Sequence, residues 1–272
     1  MGLTLLRQPN LSLSRGARVP LHSAGLPASR GLADRPVAVQ LQDTTVATWW
    51  GSRARPGDVA VLLPGNINAT ILAWLLTCRL TVALDWHIWL LANDGYNGQP
   101  AAQRSTSPGF QTITQPFIAI YDPESSYTPS AELSAQASTV TTALANGAGT
   151  APVSPGGPFD VWYMPSAAVL SANVAAVGPL VSHIGVQAQS AQGNLTTFNA
   201  TVQSYLAAAR SANPNAKLIV QVNLASGVWN CIQALNSLYP IQPDIIAVLT
   251  ESSEPTAVND LELFISLLRP SG

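Results

Sequence analysis

The sequence predicts an α/β fold: a (β/α)8 TIM-barrel-like domain that is irregular or incomplete in its first three units. Short apolar runs alternate along the chain with longer Ala/Leu-rich stretches of helical period. Successive runs lie roughly 25–40 residues apart, which is typical of parallel β–α repeats. Up to eight such runs fit within the 272 residues, and this length is close to the ~250 residues of most such barrels.

Five β–α units are predicted in the second half of the chain. Each strand run is apolar on both faces, as a parallel strand that is covered on both sides requires. The strand runs are Pro116–Tyr121, Phe159–Met164, Ser182–Gln187, Lys217–Val222 and Asp244–Leu249. The helical stretches that follow them are Ser130–Asn146, Ala167–Val177, Leu195–Ala212, Asn230–Leu238 and Ala257–Leu268.

The first half offers three further strands in less regular units. The runs Val37–Leu41, Asp58–Leu63 and Thr81–Asp85 have the composition of strands. Residues 1–35 show no periodicity and are rich in Arg and Ser, which is typical of a disordered or leader-like tail. We therefore expect one βα-repeat domain over residues 36–272, most regular over 116–272. An open doubly wound sheet and an unclosed array are the alternatives.

Composition and charge exclude a general nucleic-acid binder. Charged residues make up only 10% of the chain and the formal net charge is −2, so there are too few cations to build a basic face. Residues 1–104 hold nine bases and five acids, whereas residues 105–272 hold three bases and nine acids. This asymmetry leaves open a different origin or role for the first part.

The stretch Ala69–Ala92 is long and apolar enough to span a membrane. It contains Arg79, Asp85 and His87, each of which is unfavourable at the centre of a bilayer. A buried helix–strand pair is therefore the favoured interpretation, and we expect no membrane span.

Cysteine and histidine usage gives no sign of a metal site. The two cysteines, Cys78 and Cys231, are interpreted as buried thiols in preference to a single disulfide. The three histidines are scattered, without the spacing of a zinc site. Glycine-rich nucleotide-binding motifs are also absent from the sequence. We therefore expect no cofactor and no metal.

Four short motifs in residues 116–224 carry a family resemblance: Tyr121-Asp122-Pro123-Glu124, Met164-Pro165, Val186-Gln187-Ala188-Gln189 and Ala212-Asn213-Pro214-Asn215. This region resembles a group of uncharacterised, mostly actinobacterial secreted proteins with a TIM-barrel-like domain. The resemblance implies a barrel and an extracellular location, but no assigned chemistry. The location is otherwise unknown, because the chain lacks the apolar run of a standard signal peptide.

A second, weaker resemblance covers residues 33–80. Ala33-Asp34-Arg35-Pro36 and Arg55-Pro56-Gly57-Asp58, followed by an apolar run, are similar to the start of adenylate-forming acyl-CoA synthetases. The phosphate-binding loop with its lysine that this family needs is missing, and Lys217 is the only lysine of the chain. Adenylation is therefore not expected.

Polar side chains follow several predicted strands at the point where each strand ends, which is where a βα barrel places its site. We predict Asp122, Glu124 and Glu251 as catalytic residues. We predict Gln187, Gln189, Gln221 and Asn223 as ligand-binding amides, and Trp162 as a stacking surface.

Two carboxylates at such a mouth indicate glycoside hydrolysis. That reaction needs a carboxyl pair about 5–5.5 Å apart for retention or 6.5–9.5 Å apart for inversion. Asp122 or Glu124 together with Glu251 is the predicted pair, acting on a substrate of unassigned identity. The expected ligand is a glycan or another small polar molecule.

Structural interpretations remain open for the same residues. Asp122 precedes a proline and is compatible with a turn, and the glutamates are compatible with helix capping. The amides Gln187 and Gln189 also fit a satisfied polar layer inside the barrel, and Trp162 is compatible with a position in the barrel wall. The alternative function is a non-catalytic secreted or surface protein that binds a glycan or another protein with this face.

Overall fold

Eight parallel strands form a closed barrel in sequence order, from β1 next to β2 round to β8 next to β1. The computed structural model describes residues 31–41, 43–62, 77, 80–85, 117–124, 128, 130–150, 160–250 and 257–270. The strands are β1 (Val37–Leu41), β2 (Val59–Leu62), β3 (Thr81–Asp85), β4 (Phe117–Tyr121), β5 (Asp160–Tyr163), β6 (His183–Gln187), β7 (Lys217–Asn223) and β8 (Ile245–Leu249).

Register shows how the barrel closes. Ala38 of β1 pairs with Val59 of β2 on one side and with Ala247 of β8 on the other. Every strand thus has two hydrogen-bonded neighbours, and closure leaves no unpaired strand edge. The predicted (β/α)8 fold is confirmed. The alternatives of an open sheet and an unclosed array are wrong, since the three strands of the first half pair in register with the rest.

Helices lie between the strands along most of the described chain. They are α1 (Thr44–Arg53), α2 (Ser130–Leu133), α3 (Gln136–Thr150), α4 (Ala167–Val177), α5 (Leu195–Ala212), α6 (Val228–Ser237) and α7 (Ala257–Leu268). Local signals explain two of the starts. Asp43 accepts a hydrogen bond from the N–H of Val46 at 2.9 Å, and Asn194 accepts one from the N–H of Thr197 at 3.0 Å, so each caps its helix.

Alternation along each strand divides the apolar residues into two cores. The interior core fills the barrel itself with Ala38, Val59, Val61, Ala83, Ile118, Ile120, Trp162, Met164, Ile219, Ile245 and Ala247. The larger outer core lies between the strands and the helices, and Trp50, Phe198 and Phe264 are fully buried in it. Because both faces of the strands are buried, the runs read as continuously apolar in the sequence.

A buried ion pair joins the end of the chain to the amino end of the barrel. Asp58 and Arg269 are 1% and 6% exposed, and the guanidinium of Arg269 donates to both carboxylate oxygens of Asp58, at 2.6 and 2.9 Å. The same carboxylate accepts from the backbone N–H groups of Val37 and Arg55, at 2.8 and 2.7 Å. Asp58 therefore joins three segments: the entry to β1, the turn before β2 and the segment after α7.

The apolar stretch Ala69–Ala92 is described only in part. Residues 81–85 of it form strand β3 of the barrel, and most of the remainder lies outside the described residues. Among the helices that the structure describes, none is both long and apolar enough to cross a membrane.

The imidazole of His183 lies at the amino end of the barrel, at the start of β6. Burial lowers the pKa of His183 to about 4, and the nearby charges of Asp160, Lys217 and Asp244 have smaller, partly opposing effects. In the unfolded chain the pKa of a histidine is near 6.5. Between these two pH values only the unfolded chain binds the proton, so stability is lost as the pH falls from about 6.5 towards about 4.

We expect the substitution His183→Gln to flatten this pH dependence. One shifted site contributes up to ~1.4 kcal/mol per pH unit to the free energy of unfolding. Urea-unfolding midpoints measured at pH 7 and pH 5 would show a smaller difference in the variant than in the wild type. An equal difference in both proteins would show that another group causes the acid sensitivity.

Candidate functional site

Asp122 lies just beyond β4, at the carboxyl end of the barrel, and is 6% exposed. Its Oδ1 accepts a hydrogen bond of 2.6 Å from Nε2 of Gln187, the last residue of β6. The same Nε2 donates to the backbone oxygen of Met164 at 3.0 Å. Gln187 thus reaches across β5, which lies between β4 and β6, and its amide holds the carboxylate of Asp122 in place.

A second hydrogen-bonded pair, formed by two amides, also lies at the carboxyl end of the barrel. Nε2 of Gln189 donates to Oε1 of Gln221 at 2.6 Å. Gln221 belongs to β7 and pairs in register with Gln187 of β6. Four of the predicted site residues, Asp122, Gln187, Gln189 and Gln221, are thereby brought to one end of the barrel in two hydrogen-bonded pairs.

A small cavity opens among these side chains. Its volume is about 30 Å³, which is room for a water molecule or a group of similar size. Ten residues line it: Ala38, Gln40, Val61, Ile120, Asp122, Trp162, Met164, Gln221, Ala247 and Val248. Its apolar walls belong to the barrel interior, and its polar groups are Gln40, Asp122 and Gln221.

Trp162 forms part of the floor of this cavity. The ring is 1% exposed, and its Nε1 donates to Sδ of Met164 at 3.1 Å. Gly185 on the neighbouring strand makes the space, because a Cβ there would lie 2.1 Å from Sδ of Met164 and 2.8 Å from Nε1 of Trp162. The indole therefore contributes a buried floor where the sequence suggested an open stacking surface.

The other two predicted catalytic carboxylates are Glu124 and Glu251. The N–H of Glu124 donates to Oγ1 of Thr128 at 2.9 Å, and the C=O of Glu124 accepts from the N–H of Thr128 at 2.8 Å. Glu251 lies outside the described residues. The catalytic pair of Asp122 or Glu124 with Glu251 therefore stays a prediction.

The predicted ligand-binding residue Asn223 takes part in a local network at the end of β7. Its Oδ1 accepts from the N–H of Ala225 at 2.9 Å, and its backbone exchanges two hydrogen bonds with the side chain of Gln192. Gln192 also donates to Sγ of Cys231 at 3.0 Å. These contacts give Asn223 a structural role, beside which its predicted ligand contact remains a proposal.

Cys231 is a free and fully buried thiol. Burial raises the pKa of this thiol to about 12, and the hydrogen bond from Gln192 acts in the opposite direction. The thiol is therefore protonated at neutral pH and unsuited to act as a nucleophile. This agrees with the interpretation of Cys231 as a buried thiol, while Cys78 lies outside the described residues.

Sequence reasoning missed Gln40, the one polar residue of β1. The run Val37–Leu41 reads VAVQL, so a single amide interrupts an otherwise apolar strand. Alternation places Gln40 on the same face as Ala38, which belongs to the interior core. A lone polar residue at an inward position near a strand's carboxyl end was the available signal.

The described residues show no group of three or more His, Cys, Asp or Glu side chains arranged to hold a metal ion. Among the described residues, the two hydrogen-bonded pairs and the cavity lining together include one carboxylate and four glutamine amides: Asp122, Gln40, Gln187, Gln189 and Gln221. Such groups exchange hydrogen bonds with hydroxyl groups, and the carboxylate is also able to accept or donate a proton.

Comparison with known proteins identifies no family for the chain. No protein-family model matches it, and no curated protein matches its sequence. Solved structures of similar shape include a candidate deoxyribose-phosphate aldolase from Coccidioides immitis (8% identity, 84% of this chain and 85% of that one, TM-score 0.47). They also include the aldolase QR15 (7% identity, 90% of this chain and 100% of that one, TM-score 0.45). A third is an F420-dependent secondary alcohol dehydrogenase (9% identity, 86% of this chain and 99% of that one, TM-score 0.46).

At these identities and TM-scores the similarity carries no argument about activity. The barrel assignment rests instead on the strand order and register of the chain itself.

Both family resemblances drawn from the sequence are wrong. No family model supports the suspected secreted family over residues 116–224, and the extracellular location that it implied has no other support. No family model and no curated protein supports the similarity of residues 33–80 to acyl-CoA synthetases either. Within residues 33–80, Val37–Leu41 and Val59–Leu62 are strands of the common barrel. The Arg-Pro-Gly-Asp motif is explained by the turn before β2, where Asp58 holds the buried ion pair.

Proposed function

We propose that the chain is a barrel enzyme that acts on a hydroxyl-rich substrate at the carboxyl-end mouth, with Asp122 as an acid–base group. The observation that carries the proposal is the placement of Asp122. Its carboxylate is nearly buried at the end of β4, is held by Gln187 at 2.6 Å, and lines the cavity. A carboxylate held in one orientation in a largely desolvated site is suited to proton transfer.

Within this proposal, glycoside hydrolysis is the reaction class that we favour. One carboxyl group protonates the glycosidic oxygen while a second acts as nucleophile or activates water. Asp122 supplies one of the two groups, and Glu251 or Glu124 is proposed to supply the other. The glutamine amides of the mouth are proposed to bind sugar hydroxyls, since an amide both donates and accepts hydrogen bonds.

The test is reducing-sugar release from a broad panel of polysaccharides by the wild type and by Asp122→Asn. Asparagine keeps an oxygen that accepts from Gln187 but cannot transfer the proton. We expect kcat to fall by about 10²–10⁴-fold, while circular dichroism shows an intact fold. Glu124→Gln and Glu251→Gln, assayed in parallel, identify the second carboxylate by a loss of similar size.

A matched control removes a carboxylate far from the mouth. Glu262 on α7 is exposed and forms a surface ion pair with Arg53 at 3.0 Å, so Glu262→Gln is expected to leave sugar release unchanged. Equal activity of Asp122→Asn and the control would contradict the proposed role of Asp122. A folded wild type that releases no sugar from any substrate would contradict glycoside hydrolysis.

The second candidate function is non-catalytic binding of a glycan or another polar ligand. Its support is that the two hydrogen-bonded pairs and the cavity lining include four glutamine amides, Gln40, Gln187, Gln189 and Gln221, beside the carboxylate of Asp122. Retention of polysaccharide by immobilised Asp122→Asn, without any sugar release by the wild type, would favour this function over the first.

A further inference from the structure

The side chain of Gln40 is buried without completing its hydrogen bonds. It is 6% exposed, and its Oε1 is buried and accepts no hydrogen bond from any described residue. Most buried polar atoms in native proteins are paired, and one left unpaired is unfavourable. An amide of this kind at the end of a barrel strand therefore needs an explanation outside the internal packing.

The surroundings of Gln40 indicate what completes it. Gln40 lines the same cavity as Asp122 and Gln221. Oε1 of Gln221 already accepts from Gln189, and the oxygens of Asp122 are acceptors as well when the carboxylate is ionised. The oxygen of Gln40 is thus a buried acceptor, and the amide nitrogens of Gln40 and Gln221 are donors, so the cavity complements a hydroxyl group, which both donates and accepts hydrogen bonds. Its volume of about 30 Å³ has room for a group of about the size of a hydroxyl or a water molecule.

We propose that Gln40 is a ligand-binding residue that accepts a hydrogen bond from one hydroxyl group of the substrate, which enters this cavity beside Asp122. The inference rests on the proposed hydroxyl-rich substrate and adds a specificity determinant to it. A site with a buried acceptor discriminates strongly against an analogue that lacks the matching hydroxyl, because the acceptor is then left unpaired. Gln40 thereby selects for a hydroxyl at one position of the sugar.

The test compares Gln40→Met with Gln203→Met in the full chain. Methionine keeps the length of the side chain and removes its amide. Gln203 is the matched control, since both ends of its amide are paired with the backbone of Ile241, at 2.7 and 2.9 Å. Urea-unfolding midpoints of the ligand-free proteins are measured first. Binding of glucose, galactose, mannose and xylose is then measured by ligand-detected NMR.

We expect opposite effects of the two substitutions. Gln40→Met is expected to be at least as stable as the wild type without ligand, since a buried amide whose oxygen is unpaired is replaced by an apolar group. It is also expected to bind the sugar that the wild type binds at least tenfold more weakly. Gln203→Met is expected to lower the unfolding midpoint and to leave sugar affinity unchanged.

Three outcomes would overturn the inference: a loss of stability in Gln40→Met as large as in the control, sugar binding by Gln40→Met equal to that of the wild type, or no binding of any of the four sugars by the wild type. The proposed function is judged separately by the polysaccharide assay. Asp122-dependent hydrolysis with unchanged kcat/KM in Gln40→Met would refute this inference alone. Gln40-dependent sugar binding without hydrolysis would contradict glycoside hydrolysis alone.

Discussion

Replacing Arg269 with methionine is expected to reduce the free energy of unfolding by about 3–5 kcal/mol. The substitution leaves the carboxylate of Asp58, which is 1% exposed, without its guanidinium partner. Asp58 also receives the N–H groups of Val37 and Arg55, so the lost charge compensation affects the point where β1 begins and where the turn before β2 is held. Urea unfolding followed by circular dichroism measures the change.

The surface ion pair of Arg53 with Glu262 provides the control for this prediction. Its side chains are about half exposed, at 53% and 48%, and such pairs contribute only about 0–1 kcal/mol. Arg53→Met removes the same kind of side chain and is expected to shift the unfolding midpoint only slightly. If Arg269→Met were no more destabilising than Arg53→Met, the buried pair would not be holding the amino end of the barrel together.

The second large effect is expected from Gly185→Ala in strand β6. The added methyl carbon would lie 2.1 Å from Sδ of Met164 and 2.8 Å from Nε1 of Trp162. Both distances are far below van der Waals contact, so the two side chains must move within the barrel interior, where the cavity beside them offers only about 30 Å³. Overpacking of this kind typically destabilises by about 1–3 kcal/mol. Urea unfolding measures the loss, and sugar release should fall with it, since Trp162 and Met164 line the cavity.

Two further variants make this prediction specific. Met164→Ala in the Gly185→Ala background removes the clashing sulfur and is expected to recover part of the lost stability, which a double-mutant cycle quantifies. Gly193→Ala is the matched control, because a Cβ there meets no atom within 4 Å. Equal destabilisation by Gly185→Ala and Gly193→Ala would show that backbone freedom, and not packing against Met164, explains the glycine.

The two ends of the barrel differ in the polar groups that they bury. At the amino end, the buried pair of Asp58 and Arg269 joins three segments of the chain, and the desolvated imidazole of His183 makes stability depend on pH. At the carboxyl end, polar side chains lie in and around a small cavity, and Gln40 remains incompletely paired. This division matches the general behaviour of βα barrels, in which the carboxyl ends of the strands hold the site and the opposite end supports the fold.

The sequence by itself determined the elements and the class of fold. Apolar runs such as Lys217–Val222 and helical stretches such as Leu195–Ala212 agree with strand β7 and helix α5. The reason is that periodicity, capping by Asn194 and strand composition are local properties. Predicting the strands also predicted where each strand ends. The sequence therefore indicated that Asp122, Gln187, Gln189 and Gln221 lie at the same end of the barrel.

Only the tertiary structure decided whether the barrel closes, which side chains form hydrogen bonds with each other, and how tightly each side chain is packed. Closure depends on β1 meeting β8 across about two hundred residues of chain, and no local pattern encodes a contact of that range. The pairing of Gln187 with Asp122 joins strands that are not adjacent, so strand spacing could not predict it. The unmet hydrogen bond of Gln40 and the crowding around Gly185 arise from how the inward side chains of different strands fill the same closed space, which is a property of the packed barrel as a whole.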